Sequence, residues 1–316
     1  MRRALLVGID HYDNFLALSG CVNDVAALEP VLARHEDGSP NFTCQTRTCP
    51  GIRVTRDRLL RDLVGLFGPG ADLALFYFAG HGAIVNGDVV LAAADGTAQT
   101  PGVGLAEIMA MVAGSKVPAV TIILDCCFSG AAATIPQFGA GAHLRDGVAI
   151  LTASREDQTS AETPVGRGVF STYLYDALDG GAADIRGLVT VANVYAYLDE
   201  SFGPWDQRPM FKANVERLQE LRRCVPAVPV HELRRLPEFF PDAHGEFDLD
   251  PSFEPEAEPR QPEHEAVFAI LQRCRAAQLV EPVGVEHMYF AAMQSRSCRL
   301  TKPGRHYRRL AAQGRL

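Results

Sequence analysis

The chain predicts an α/β protein, with a mainly parallel sheet covered by helices on both faces and then a small, mainly helical C-terminal domain. Three observations carry this expectation. Over the first two-thirds of the chain, short apolar runs ending in Gly, Asp or Asn alternate with segments of helical period. Two of the runs, "DLALFYFAGHG" from Asp72 and "AVTIILD" from Ala119, are apolar on both faces, as the central strands of a parallel sheet must be. An acidic, proline-rich stretch then separates this part from a basic, helix-patterned end.

Taken in order, "ALLVGI" from Ala4 is the first strand, and Asn23 is placed to cap a helix whose Val25, Leu28 and Leu32 share a face. "FTCQTRTC" from Phe42 is the second strand. Thr55 opens a helix with Leu59, Leu63 and Leu66 as its apolar stripe, and Gly68-Pro69-Gly70 ends it. The next strand ends in His81. A helix from about Leu105 leads to "AVTIILD", which delivers Asp125, Cys126 and Cys127, and "GVAILTAS" from Gly147 is a further strand. "GVFSTYLYDALDG" from Gly168 and "TVANVYAYLDESF" from Thr190 read as amphipathic helices, with Tyr173, Tyr195 and Tyr197 in packing positions. The expected boundaries are a first domain over 1–223, an acidic linker over 224–262 and a second domain over 263–316. The linker text "FFPDAHGEFDLDPSFEPEAEPRQP" has too little apolar content to fold alone. Val267, Ile270 and Leu271 pattern the helix after it, and "EHMYFAAM" a shorter one.

With 316 residues, 47% hydrophobic and 22% charged, the chain can bury a full core. The opening "MRRALLVGID" is cut by Asp10 before a signal-peptide core or a spanning helix is complete, so no membrane role is expected. Eight cysteines without dense spacing do not make a secreted disulfide scaffold, and the expected compartment is the reduced cytoplasm. Cys44 and Cys49 lack the second ligand pair of a zinc site. No cofactor is expected, and the scattered aspartates assign no calcium site. A net charge of -8 argues against wholesale nucleic-acid binding.

The reactive residue types sit at strand ends: His81 after one central strand, and Asp125, Cys126 and Cys127 after the other. Open α/β sheets form their sites at this carboxyl edge. A cysteine attacks a carbonyl as its thiolate, and a neighbouring imidazole can take the thiol proton and later pass it to the leaving amine. Gly82 and Gly130 beside them leave room for a substrate backbone. Chemistry of the residues alone does not say which of the two adjacent cysteines acts.

"FAGHG" and "DCCFSG", with His81 and Cys127 46 residues apart, resemble the histidine and cysteine motifs of the caspase-like cysteine peptidases, which include caspases, paracaspases and metacaspases. The resemblance continues through "LLVGIDHY", "LSGCVNDVAAL", "TASREDQTSAE", "GVFSTYLYDAL" and "QRPMFKANVE". It implies a caspase-like α/β/α sandwich and a cysteine endopeptidase made as a zymogen. The metacaspase motif runs Asp, small residue, Cys, aromatic or His, Ser, Gly. Aligned to it, Cys127 is the nucleophile, His81 the general base, and Cys126 a structural residue. Phe128 stands where many relatives carry His. The same alignment assigns the backbone N–H groups of Gly82 and Cys127 to the oxyanion hole. It puts Asp24 and Asp125 in the acidic pocket of the branch that cuts after Arg or Lys, with Glu156 and Asp157 as further substrate-binding candidates. Caspase-like families often cut the connection after the cysteine motif, here "AAATIPQFGAGAHLRDG", which makes Arg145 a candidate processing site.

The basic end resembles a small winged-helix module of bacterial conflict and antiphage effectors, with Arg296, Arg299, Lys302, Arg305, Arg308 and Arg309 as its cations. This implies an effector in a bacterial stress or antiphage pathway, regulated by a protein partner at 263–316; contact with nucleic acid is the lesser expectation. The alternative is a catalytically inactive caspase-like scaffold whose C-terminal module binds a protein partner or DNA. Intact His81 and Cys127 favour the enzyme.

Overall fold

The computed structural model describes residues 1–126, 144–153, 166–203 and 209–316. They divide into two units, Met1–Ala183 with Leu188–Cys224, and Asp184–Gly187 with Val225–Leu316. The first unit runs β1 (Arg2–Ile9), α1 (Cys21–Ala33), β2 (Thr43–Cys49), α2 (Arg56–Leu66), β3 (Leu73–Gly80), β4 (Gly82–Val85), β5 (Asp88–Ala92), β6 (Gly102–Gly104) and α3 (Leu105–Gly114). It continues with β7 (Ala119–Cys126), β8 (Val148–Thr152), α4 (Val169–Asp176), β9 (Leu188–Thr190), α5 (Val191–Ser201), β10 (Met210–Asn214) and β11 (Glu220–Arg223).

Six strands make one sheet in the order β10-β8-β7-β3-β1-β2, parallel throughout except for β10 against β8. The strand pleat sends alternate side chains to opposite faces, and two cores result. Leu5, Val7, Phe76, Phe78, Ile122 and Leu124 meet α2 and α3 on one side. Leu6, Leu75, Tyr77 and Ile123 meet α1, α4 and α5 on the other. A sheet covered on both faces needs apolar residues at every position, which is why β3 and β7 read as unbroken apolar runs. Gly8 lets α1 lie close: a Cβ there would stand 2.3 Å from the Cys21 carbonyl oxygen.

Two local expectations change. The helix expected to start at Asn23 starts at Cys21, because the Asp10 carboxylate, delivered by the end of β1, accepts from the N–H groups of Cys21 (2.9 Å) and Val22 (3.2 Å). Asn23 donates instead to the Gly166 carbonyl. Between β3 and α3 the chain also forms a three-stranded antiparallel sheet, β4-β5-β6, that the run of apolar strands did not announce.

The second unit comprises α6 (Val230–Leu233), α7 (Leu236–Phe239), β12 (Glu246–Asp248), α8 (Pro262–Ala276), β13 (Val280–Pro282), α9 (Met288–Met293), β14 (Ser297–Leu300) and α10 (Lys302–Ala312). Its strands form an antiparallel sheet in the order β12-β14-β13. The stretch expected as a linker over 224–262 is folded for most of its length. Val228, Leu233, Leu236, Phe239, Phe240, Leu249 and Phe253 are buried in the core that also holds Phe268, Leu271 and Cys298. A few large apolar anchors, set among prolines and acids, bury enough surface to fold a segment whose average composition is polar. Among the described residues no helix is long and apolar enough to cross a membrane.

Candidate active site

β3 and β7 are neighbours, and their register pairs Ala79 with Asp125 and Gly80 with Cys126. His81 follows one strand and Cys127 the other, so the two motifs reach the carboxyl edge of the sheet side by side. Cys127, Glu156 and Asp157 lie outside the described residues. Cys126 is buried at 1% exposure in the core beneath α2 and α3, a position from which it cannot reach a substrate.

His81 is held from several directions. Its backbone N–H donates to Tyr12 Oη (2.9 Å), and its carbonyl accepts from the Ala92 N–H (2.9 Å). Its ring packs against Tyr12 with centroids 4.9 Å apart and against Phe15 at 6.2 Å. Nε2 lies 2.8 Å from the Leu16 carbonyl oxygen. A carbonyl can only accept, so Nε2 carries the proton, and in the neutral ring Nδ1 is left as the base. The loop bearing Leu16 is itself tied down: Asp13 N–H donates to the Ala94 carbonyl, Asn14 Nδ2 to the Gly96 carbonyl and Leu18 N–H to the Asp10 carbonyl. Burial pushes the Tyr12 phenol far above its ordinary range, so it stays neutral. Gly80 is required here, since a Cβ on it would stand 2.5 Å from Tyr12 Oη.

Asp24 and Asp125 are both buried, at 3% and 7% exposure. Ser171 Oγ donates to Asp125 Oδ2, so Tyr77 Oη, 2.6 Å from Ser171 Oγ, must donate to Ser171 in turn. This chain of hydroxyls aims its protons at the carboxylate. Asp24 Oδ1 accepts from the Gly168 N–H at 3.2 Å. The two carboxylates act on common neighbours. Burial first, then the charges of Asp125 and Asp24, raise the Tyr77 phenol well above its ordinary value. Burial, followed by Asp10, Asp125 and Asp24, does the same to the Cys21 thiol. The α1–α4 face of this sheet edge is therefore a region of concentrated negative charge.

Gly82 opens β4 directly after His81. Arg145 lies elsewhere, as a clasp: its Nε donates to the Val112 carbonyl (2.8 Å), and its two terminal nitrogens to those of Asp146 (2.8 Å) and Val117 (2.7 Å). Cleavage after Arg145 would require this clasp to open. Among the described residues no three His, Cys, Asp or Glu side chains converge as a metal site. In the second unit several of the basic side chains are already engaged, Arg299 with Glu281, Arg305 with the Leu300 carbonyl and Arg308 with the Phe240 carbonyl. The sequence reading named His81, Asp24 and Asp125, and the fold brings all three to one sheet edge. It missed Tyr12, Leu16, Tyr77 and Ser171, of which Leu16 contributes only backbone.

Residues 1–217 match the family model described as the caspase domain. Metacaspase-3 of Trypanosoma cruzi (strain CL Brener) is 31% identical over 166 residues, covering 46% of this chain and 46% of that protein. Metacaspase-2 of Trypanosoma brucei brucei (strain 927/4 GUTat10.1) is 29% identical over 160 residues, covering 42% and 43%. The chain thus spans less than half the length of these relatives. A solved structure of a Geobacter sulfurreducens protein covers 68% of this chain and 94% of its own, with a TM-score of 0.51 at 18% identity, a likeness of fold alone.

Proposed function

The chain belongs to the caspase-domain peptidase family, and we propose that it is a cysteine endopeptidase cutting protein chains after Arg or Lys. One observation carries this reading: the β3–β7 register that ends both motif strands together, with His81 fixed as the Nε2–H tautomer. In this mechanism Nδ1 of His81 takes the Cys127 thiol proton and the thiolate adds to the scissile carbonyl. The backbone N–H groups of Gly82 and Cys127 receive the oxyanion. The C–N bond then breaks, and the proton on Nδ1 goes to the leaving nitrogen. Water, deprotonated by the same ring, hydrolyses the thioester and restores the thiol.

The specificity half of the proposal rests on Asp24 and Asp125. Two buried carboxylates that accept from neighbouring hydroxyl and amide donors favour a cationic side chain and disfavour an acidic one. Cys127→Ala and His81→Ala should each abolish cleavage of an Arg-ending fluorogenic peptide, while Cys126→Ala retains a substantial fraction. Asp125→Asn should lower kcat/KM for that peptide by about 30-fold or more, the scale of losing one partner of a buried charge pair. A well-folded Cys127→Ala protein that still cuts removes the proposal, and efficient cleavage after Asp removes its specificity half.

A further inference from the structure

Beside His81 lies an open cleft of about 280 Å³ lined by Phe15, Leu16, Ala83, Ala92 and Pro101, with His81 and Gly82 in its wall. Among the described residues no carboxylate, ammonium or guanidinium lines it. Leu16 is 85% exposed although it is a large apolar residue. The loop after β1 supplies Phe15 and Leu16, and the β4–β5 hairpin that follows His81 supplies Ala83 and Ala92. The cleft thus adjoins the imidazole directly.

Taking the reading above as its basis, we infer that this cleft binds the side chain immediately after the cut bond, and that the preferred residue there is large and apolar, such as Leu or Phe. The chemistry requires such a placement. The proton on Nδ1 must reach the leaving nitrogen, which puts that nitrogen within hydrogen-bond reach of the ring. The side chain of the residue that carries this nitrogen then meets whatever surrounds the imidazole. Among the described residues, those beside it in the cleft are apolar, supplied by the β4–β5 hairpin and by the loop that also supplies the Leu16 carbonyl. An ionic side chain entering the cleft would lose water and gain no partner, whereas Leu or Phe would be covered together with the exposed Leu16. The substrate recognised is a basic residue followed by a bulky apolar one.

Digestion of a proteome-derived peptide library by the full chain, with sequencing of both new ends, reads the two positions independently. The residue before each cut tests the Arg/Lys reading, and the residue after it tests this inference. Leu, Phe and similar residues should exceed Gly, Asp and Lys at the second position by about tenfold or more in matched quenched peptides. Ala83→Glu places a carboxylate in the cleft and should turn the preference towards Lys. Leu16→Ser, which alters an exposed side chain and keeps the backbone carbonyl, should narrow the Leu-to-Gly ratio even if Ala83→Glu fails to fold. Cuts after Arg or Lys with no preference at the next position, unchanged in both variants, overturn the inference and leave the specificity reading intact. Cuts after other residues overturn that reading, while an apolar preference behind those cuts still supports the cleft.

Discussion

At His81 the fold fixes one ring through groups of three kinds: a phenol on the backbone N–H, a carbonyl on Nε2 and aromatic faces on the ring itself. A base must present a lone pair in one direction for proton transfer to be efficient, and each contact removes a competing orientation. Tyr12→Phe keeps the ring contact and deletes the acceptor, leaving the His81 N–H without its partner. Loss of that acceptor costs roughly 1–3 kcal/mol. Steady-state kinetics should show kcat reduced about tenfold with KM nearly unchanged, alongside a lower melting temperature. An unaltered kcat would show that Tyr12 is packing only. Tyr12 stood in the sequence within "GIDHY", yet nothing local ties it to His81, 69 residues away. The Leu16 carbonyl leaves no trace in a sequence at all, because every residue has one. His81, Asp24 and Asp125 could be singled out from the sequence because their side chains are chemically distinctive and their motifs specific.

Among the elements, the central strands were the plainest to read, since burial on both faces writes itself as an apolar run. The β4–β5 hairpin had a signal of a different kind, Asn86-Gly87, whose positive φ values of 52° and 78° make the two-residue turn between the strands. It went unread because the strands it joins are short, β4 being half-buried throughout and β5 buried at four of its five positions, so neither alternates. The linker reading failed for the converse reason, a mean composition that hid Phe239, Phe240 and Phe253. Arg145 shows how a side chain closes an element: its hydrogen bonds satisfy carbonyls at the end of α3 and at the approach to β7. Arg145→Ala should cost about 1–3 kcal/mol in urea unfolding, and Arg145→Lys should recover little, because an ammonium cannot span the three acceptors as the planar guanidinium does. A midpoint unchanged by Arg145→Ala would mean the clasp adds no stability.

Across the chain, each unit has its own core, and the residues proposed as catalytic all belong to the first. The cysteines are similarly divided by environment. Burial pushes the thiols of Cys44, Cys274 and Cys298 up to about 12, and those of Cys21 and Cys224 also upwards, while Cys49 and Cys126 are buried. A thiol held above neutral pH is protonated and slow to alkylate. In the proposed mechanism Cys127 is the thiol that His81 activates, and this makes one measurement decisive. The full chain is treated near neutral pH with a peptide chloromethyl ketone ending in Arg, and the adduct is located by mass spectrometry. The account predicts a single adduct on Cys127, lost in His81→Ala, much slower in Asp125→Asn, and absent with the matching reagent ending in Asp. An adduct on Cys126, or labelling of Cys127 that is equally fast in His81→Ala, would contradict it.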